Sequence, residues 1–362
     1  MDVREFDFDL PADLIAQEPA PERTAARLLS LDRRSGSLTH TTIAALPDLL
    51  RAGDLLVVNN TRVFPARLLG RRVPSGGAVE CLLVRRHGPP EGGHSVRDGS
   101  PEGGQEWEAL MHPGQKLKPG ARVVFEGDKT LHGEVLERHF FGRRVIRLST
   151  DDGSSVDAAI DAIGHVPLPP YIKREDRAED RERYQTVFAR ARGSIAAPTA
   201  GLHFTPALLD ALAARGIGRV EITLHVGYGT FQPVRVDRVE DHRMEAEEYE
   251  IGEAAAAAIE RARRDGRRVI AVGTTTTRTL EAAARAHDGQ VVAGAASTDL
   301  FIHPGFDFRV VGGLLTNFHL PRSSLIMLVA AFAGRDAVLA AYREAIAHRY
   351  RFYSFGDAML IV

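Results

Sequence analysis

The sequence predicts an α/β protein of two domains, with α/β texture at both chain ends and a stretch of short strands between them. Three observations predict it. The chain has 362 residues, 44% hydrophobic and 26% charged, which suits two globular domains better than one. Continuous apolar runs, Leu55-Leu56-Val57-Val58 and Val269-Ile270-Ala271-Val272, read as strands buried on both faces. From Pro65 to about Leu148 this gives way to short strand-like runs punctuated by turn residues.

The first stretch places Asp13 in a short helix, a strand leading to Asp32, a turn at Arg33-Arg34-Ser35-Gly36 and a helix over Ile43–Leu50 disturbed by Pro47. The buried strand that follows ends in Asn59-Asn60-Thr61-Arg62. Polar residues after an apolar strand are where α/β proteins place ligand contacts, although a plain polar turn reads the same way. In the middle stretch, Ala66–Gly70, Ala78–Val84, Trp107–Met111, Arg122–Phe125, Leu131–Leu136 and Arg144–Leu148 are the strand-like runs of a small barrel or sandwich. The Gly- and Pro-rich segment His87–Gln105 reads as a surface excursion. Arg71-Arg72, Arg85-Arg86 and Arg143-Arg144 are ordinary solvated pairs or a surface for a phosphate backbone.

Beyond Leu148 comes a proline-rich crossing, Gly164–Tyr171, then a charged run from Lys173 to Arg183. The segment Ala196–Pro206 holds His203 in a Pro-Gly turn. Thr205 and Pro206 then supply the N-cap and first residue of a helix, a place suited to an anion or a reacting group. The strand Val220–Val226 runs into Gly227-Tyr228-Gly229-Thr230-Phe231, whose spacing is not a dinucleotide fingerprint. Gly273-Thr274-Thr275-Thr276-Thr277-Arg278 opens a helix with hydroxyls and free amides suited to a carboxylate or ribose. It has no Walker lysine. Thr298–Ile302 and Leu314–Pro321 put Asp299 and His319 beside strand ends, and Leu325–Phe332 reads as a core helix. His203, His225, Asp299 and His319 thus each stand in a polar strand-end loop. One shared cleft accounts for them better than four separate core positions do.

Composition narrows the function. Acids (48) nearly balance Lys and Arg (46), so a nucleic-acid surface has to be a local patch. The single cysteine, Cys81, excludes an internal disulfide and a cysteine-rich zinc site, and reads as a buried strand thiol. The histidines offer no His-x-x-x-His spacing, so no metal is expected. No signal-peptide pattern and no membrane-length apolar run are present, and a cytoplasmic location is expected.

Several segments together resemble the S-adenosylmethionine:tRNA ribosyltransferase-isomerase family of queuosine biosynthesis. They are Asp7–Pro11, Asn59–Val63, Ala196–Thr205, His225–Phe231, Gly273–Arg278, Thr298–Ile302, Thr316–Pro321 and Phe352–Ile361, in order across nearly the whole chain. One departure stands out: where the family usually reads His-x-Met-His-x-Glu, this chain has His242-Arg243-Met244-Glu245-Ala246-Glu247. The resemblance implies an α/β catalytic domain from residues 1–63 and 150–362 with an inserted β-barrel over 64–149. It implies transfer of the ribosyl moiety of S-adenosylmethionine to 7-aminomethyl-7-deazaguanine at the tRNA wobble position, giving epoxyqueuosine with release of adenine and methionine. S-adenosylmethionine would be consumed as a co-substrate, with no other cofactor, no membrane partner and a monomeric chain.

Set against that chemistry, His203 and His319 are the base and acid candidates. Asp299 would orient one of them or hold a ribose hydroxyl. His225, Gly227, Gly229 and Thr230 would border the nucleoside. Thr274, Thr275 and Arg278 would hold the methionine carboxylate, and Asn60 and Arg62 would touch substrate or tRNA. Thr199, Gly201, Phe204 and Asn317 complete the expected binding set. Two other readings differ in kind. A non-catalytic tRNA-binding protein leaves the polar strand-end loops unexplained. An S-adenosylmethionine-dependent RNA methyltransferase lacks its Gly-rich nucleoside motif near the N-terminus.

Overall fold

In the computed structural model, which describes residues 1–87, 104–231 and 234–362, the apolar run Leu55–Asn59 is a strand buried along its whole length. It lies near the middle of a nine-stranded sheet. The order is 294–298, 247–251, 218–224, 55–59, 269–272, 313–317, 358–361, 27–31, 38–42. The strands 218–224, 55–59, 269–272 and 313–317 run parallel to one another. Outside them the pairings of 218–224 with 247–251 and of 313–317 with 358–361 are antiparallel, while 358–361 and 27–31 run parallel.

The sheet is covered on both faces, which is why its central strands need no polar alternation. Leu55, Val57, Val269, Ala271 and Leu314 pack with Ala255, Ile259, Leu280, Ala283, Ile326 and Val338. Their neighbours Leu56, Val58, Ile270, Val272 and Leu315 pack instead with Leu46, Phe204, Leu208 and Leu212. Each such side chain contributes roughly 1.5–3 kcal/mol on burial. The apolar helix expected at Leu325–Phe332 is Ser324–Ala333, capped by the Ser323 hydroxyl. Thr205 caps Pro206–Ala214 as its sequence requires. Ile43–Leu49 starts as a 3-10 turn and becomes helical at Leu46, where Pro47 fits the first turn.

The middle of the chain closes into a six-stranded antiparallel barrel in the order 143–150, 105–112, 78–86, 67–73, 122–126, 130–138. Cys81 is wholly buried in it, and burial pushes its thiol pKa up. The basic pairs expected to face a phosphate backbone are largely matched with acids. Arg85 and Arg143 both reach Glu108 (2.6 and 2.8 Å), Arg71 pairs with Glu126, and Arg86 with Asp157. Arg144 is buried and donates to the carbonyls of Leu117 (2.8 Å) and Arg143 (2.6 Å), a core role.

The chain divides into two compact units, one of residues 1–62, 169–174 and 183–362, the other of 63–168 and 175–182. The boundary read from the sequence near 149 therefore differs from this division. The helix Val156–Ile163 belongs with the barrel, where a Cβ on Gly127 would lie 2.9 Å from Ile163. Residues 88–103 of the expected excursion lie outside the described residues. Among the described residues, no single helix is long and apolar enough to cross a membrane.

Candidate active site

A cavity opens at the C-terminal ends of two parallel strands, Val269–Val272 and Gly313–Asn317. Further lining comes from Ala197–Ala200, Tyr171, Val226, Ser323, Leu325 and Tyr353-Ser354. Strand ends in an open α/β sheet present side chains and backbone amides that no further strand covers, so ligand sites gather there. All of these residues belong to the larger unit.

The first wall is the start of helix Thr274–Ala286. Gly273 takes φ +94 before it, a conformation a side chain would resist. Three hydroxyls fold back on the helix: Thr276 Oγ1 donates to Val272 O (2.8 Å), Thr277 Oγ1 to Gly273 O (3.2 Å) and Thr279 Oγ1 to Thr275 O (3.0 Å). Thr275 and Thr274 line the cavity, and Thr275 Oγ1 is buried with no hydrogen-bond partner among the described residues. First-turn amides add positive potential at the same place.

The opposite wall is Thr316-Asn317-Phe318-His319. The Thr316 hydroxyl lies 2.8 Å from His319 Nε2, donating or accepting according to the tautomer. The His319 backbone N–H donates to the Tyr342 hydroxyl (3.0 Å). Burial lowers the His319 pKa to about 3, so its ring is neutral at neutral pH. Asn317 Nδ2 donates to Tyr353 O (2.9 Å), which helps hold Tyr353 at φ +74. The rings of Tyr353 and Tyr171 stack with centroids 4.3 Å apart, and the Tyr171 hydroxyl meets Ser354 Oγ. Burial raises both phenol pKa values, so these groups stay protonated donors. Like Thr275 Oγ1, Asn317 Oδ1 and the Tyr353 hydroxyl are buried without hydrogen-bond partners among the described residues. Each such group costs about 1–3 kcal/mol. Three of them lining one cavity mark a place shaped for a ligand that supplies the missing bonds.

His203 belongs to an adjoining small recess with Arg23, Arg183 and Ser354; Ser354 also lines the main cavity. Its Nε2 is buried and, among the described residues, has no partner at hydrogen-bond distance and angle, although the Asn317 amide is near enough to act on the ring. Burial lowers its pKa to about 4, opposed by the Asp357 carboxylate and the Asn317 amide, while Arg23 lowers it further.

Of the residues expected from sequence, Thr199, Thr274, Thr275, Asn317 and His319 come together in the cavity, and His203 stands beside it. Others do not join them. Arg278 is buried and committed: it pairs with Glu247 and donates from Nε to Leu300 O (2.9 Å). Glu247 in turn accepts the Gly227 N–H (2.9 Å), so Arg278 secures the Gly227 loop and its charge is not turned to the cavity. Asn60 accepts from the Thr223 hydroxyl (2.7 Å), and Arg62 is exposed. His225 faces the Thr61 hydroxyl (2.9 Å), under a Gly193 whose Cβ would lie 2.6 Å from the ring. Phe204 is core, edge-on to Phe188, and a Cβ on Gly201 would meet Thr186 and Phe188. Asp299 is exposed and outside both cavities. Gly229 lies near the Glu245 side chain, and the Thr230 side chain is outside the described residues.

Sequence reasoning missed Tyr171, Thr316, Phe318, Tyr353 and Ser354. Tyr171 closes the proline-rich crossing, and Tyr353-Ser354 precede the last strand. An aromatic beside an apolar strand reads first as core, so only the excess of hydroxyls in these stretches hinted at a site.

Comparison with known proteins follows the same lines. The family model described as queuosine biosynthesis protein matches residues 3–361. A relative from Heliobacterium modesticaldum is 51% identical over all of both chains, and one from Desulfitobacterium hafniense 49% over all of both. Both are called S-adenosylmethionine:tRNA ribosyltransferase-isomerase. The crystal structure of the S-adenosylmethionine tRNA ribosyltransferase of Thermotoga maritima is 37% identical. It covers 99% of this chain and 100% of that one, with a TM-score of 0.55.

Proposed function

We propose a specific reaction from one premise: the chain belongs to the queuosine biosynthesis family, and is an S-adenosylmethionine:tRNA ribosyltransferase-isomerase acting on tRNA and S-adenosylmethionine. The reaction is transfer of the ribosyl group of S-adenosylmethionine to the aminomethyl group of a 7-deazaguanine at the wobble position, with isomerisation to epoxyqueuosine. Adenine and methionine leave.

The observation that carries the reading is the set of buried polar atoms without partners among the described residues, Thr275 Oγ1, Asn317 Oδ1 and Tyr353 OH, which line one cavity with a neutral histidine. The methionine carboxylate suits the start of helix Thr274–Ala286, where the Thr275 hydroxyl and first-turn amides await an anion. The sulfonium is a cation, and the Tyr171 and Tyr353 rings beside it offer π faces. A neutral imidazole avoids the repulsion a charged one would exert on that cation. The sulfonium acidifies the adjacent ribose C5′ proton, which His319 or His203 accepts as general base. The other, also neutral, donates a hydrogen bond from its ring N–H to the departing adenine. The substrate amine, neutral in a desolvated site, attacks the ribose, and a ribose hydroxyl displaces methionine to close the epoxide. Asp299 and Arg62, both exposed, are left for contacts with the tRNA.

The test uses full-length protein, S-adenosylmethionine and a tRNA carrying the aminomethyl-deazaguanine, with adenine and methionine followed by mass spectrometry. Release of both with a ribosyl-sized mass gain on the tRNA is expected. His319→Ala and His203→Ala, each checked for folding, are expected to slow adenine release by about 10²–10⁴-fold. Near-normal rates in both would remove the acid–base assignment. Methyl transfer in place of ribosyl transfer would remove the reaction.

A further inference from the structure

Three ligand-bearing side chains meet outside the active site, from parts of the sequence about three hundred residues apart. His40 stands on the edge strand Leu38–Thr42. Glu344 and His348 lie one turn apart at the C-terminal end of helix Arg335–Ala347. His40 Nε2 is 3.3 Å from Glu344 Oε1, and His348 Nδ1 is 3.2 Å from the same oxygen. All three ligand atoms lie within 4.8 Å of one another.

These spacings have a specific meaning. A zinc ion holds nitrogen and carboxylate oxygen at about 2.0–2.1 Å, so two ligands on neighbouring corners of its tetrahedron stand about 3.3–3.4 Å apart. The two measured separations already fall at that edge length. The ring of His40 is also set the right way round. Its Nδ1 lies 3.0 Å from the Tyr350 hydroxyl, which leaves Nε2 facing the cluster. Tyr350 is itself held, with the Arg27 guanidinium 4.2 Å over its ring. Arg27 NH1 donates to the His348 carbonyl (2.8 Å), fixing the end of the helix that carries two of the three ligands. The three side chains keep 36%, 41% and 55% of their surface, leaving water free to fill a fourth position.

We propose that His40, Glu344 and His348 bind one divalent transition-metal ion of zinc's class, clipping the edge strand to the end of the last helix. Imidazole with carboxylate suits zinc, cobalt or nickel better than magnesium or calcium. His348 Nδ1 also lies 3.1 Å from the Glu344 carbonyl, a contact given up when Nδ1 turns its lone pair to the ion and the ring hydrogen sits on Nε2. The site is independent of the cavity and of its chemistry.

Full-length protein stripped with chelator is titrated with zinc chloride by calorimetry and followed by thermal unfolding. One ion per chain and a rise in Tm are expected. Cobalt should give the visible bands of a low-coordinate site. His40→Ala and His348→Ala should each abolish uptake and the Tm rise while leaving the metal-free Tm nearly unchanged. Tyr350→Phe should keep the stoichiometry and weaken affinity by about tenfold, because the oriented ring is lost. No uptake, or uptake that persists in both histidine variants, overturns the site.

Discussion

Two strand ends in the parallel centre of the large sheet look alike in sequence and behave differently in the structure. After Leu55–Asn59 come Asn60-Thr61-Arg62; after Val269–Val272 come Gly273-Thr274-Thr275. Both are polar clusters after an apolar strand. The first is sewn shut. Asn59 Nδ2 donates to Leu224 O (2.9 Å), and Asn59 Oδ1 accepts from the N–H groups of Leu224 (3.0 Å) and Thr61 (3.1 Å). Asn60 and Thr61 are taken by Thr223 and His225. The second end leaves Thr275 Oγ1 without a partner and opens on the cavity. A polar residue at a strand end is therefore a site only when its hydrogen bonds are unspent. Residue type does not show that; the partners do.

The largest expected effect tests the closed end. Asn59→Leu keeps the volume close but strands two buried N–H groups and one carbonyl. Each unmade bond costs about 1–3 kcal/mol, so a loss of about 3 kcal/mol or more is expected. Urea unfolding should show it as a lower midpoint with little change in slope. KM for S-adenosylmethionine, measured on the folded fraction, should move less than twofold. A large rise in KM with full stability would make Asn59 a ligand contact and break the comparison.

A middle-sized effect concerns the histidines kept neutral beside the open end. His203 and His319 have folded pKa values lowered to about 4 and about 3 from an ordinary value near 6.5. The unfolded chain therefore binds more protons than the folded one below about pH 6.5, and stability rises with pH there. Their contribution is fully present above 6.5 and is lost as pH falls toward the folded values. Stability of the native protein should drop between pH 6.5 and 5, ahead of most carboxylate titration. In His319→Gln, whose amide still reaches Thr316, that drop should be visibly shallower. Equal slopes in the two proteins would mean that His319 is not held neutral by burial.

Much of the fold could be read from the sequence because it rests on local patterning. Leu55–Val58 and Val269–Val272 announce strands covered on both faces, Thr205-Pro206 announces a helix start, and turn-punctuated runs announce short strands. Closure into a six-stranded barrel and the grouping of 150–168 and 175–182 with it depend on pairings distant in sequence, which periodicity does not encode. The site was half legible for the same reason. Thr274, Thr275, Asn317 and His319 announce themselves as polar groups at strand ends. Arg278 looks like an anion binder until Glu247 is seen to hold it. Tyr171 and Tyr353 look like core until their stack is seen to line the cavity. The triad of His40, Glu344 and His348 escaped a search for His-x-x-x-His because its helical half is Glu-x-x-x-His and its third member comes from a distant strand.

The smallest effect is the sharpest test of the open end. Thr275→Val is nearly isosteric and removes a hydroxyl that bonds nothing among the described residues. Its deletion should leave stability within about 0.5 kcal/mol of the native value, or slightly above it, since an unpaired buried group is lost. If that hydroxyl meets the methionine carboxylate, KM for S-adenosylmethionine should rise about tenfold, in keeping with one hydrogen bond to a charged group. The rate of adenine release at saturation should change little, because the carboxylate is remote from the bonds that break. Thr276→Val, one residue on, removes a hydroxyl already spent on Val272 O, and should leave KM alone. A KM that follows Thr276 and ignores Thr275 would place the carboxylate elsewhere and show that an unspent hydrogen bond does not by itself identify the working end of a strand.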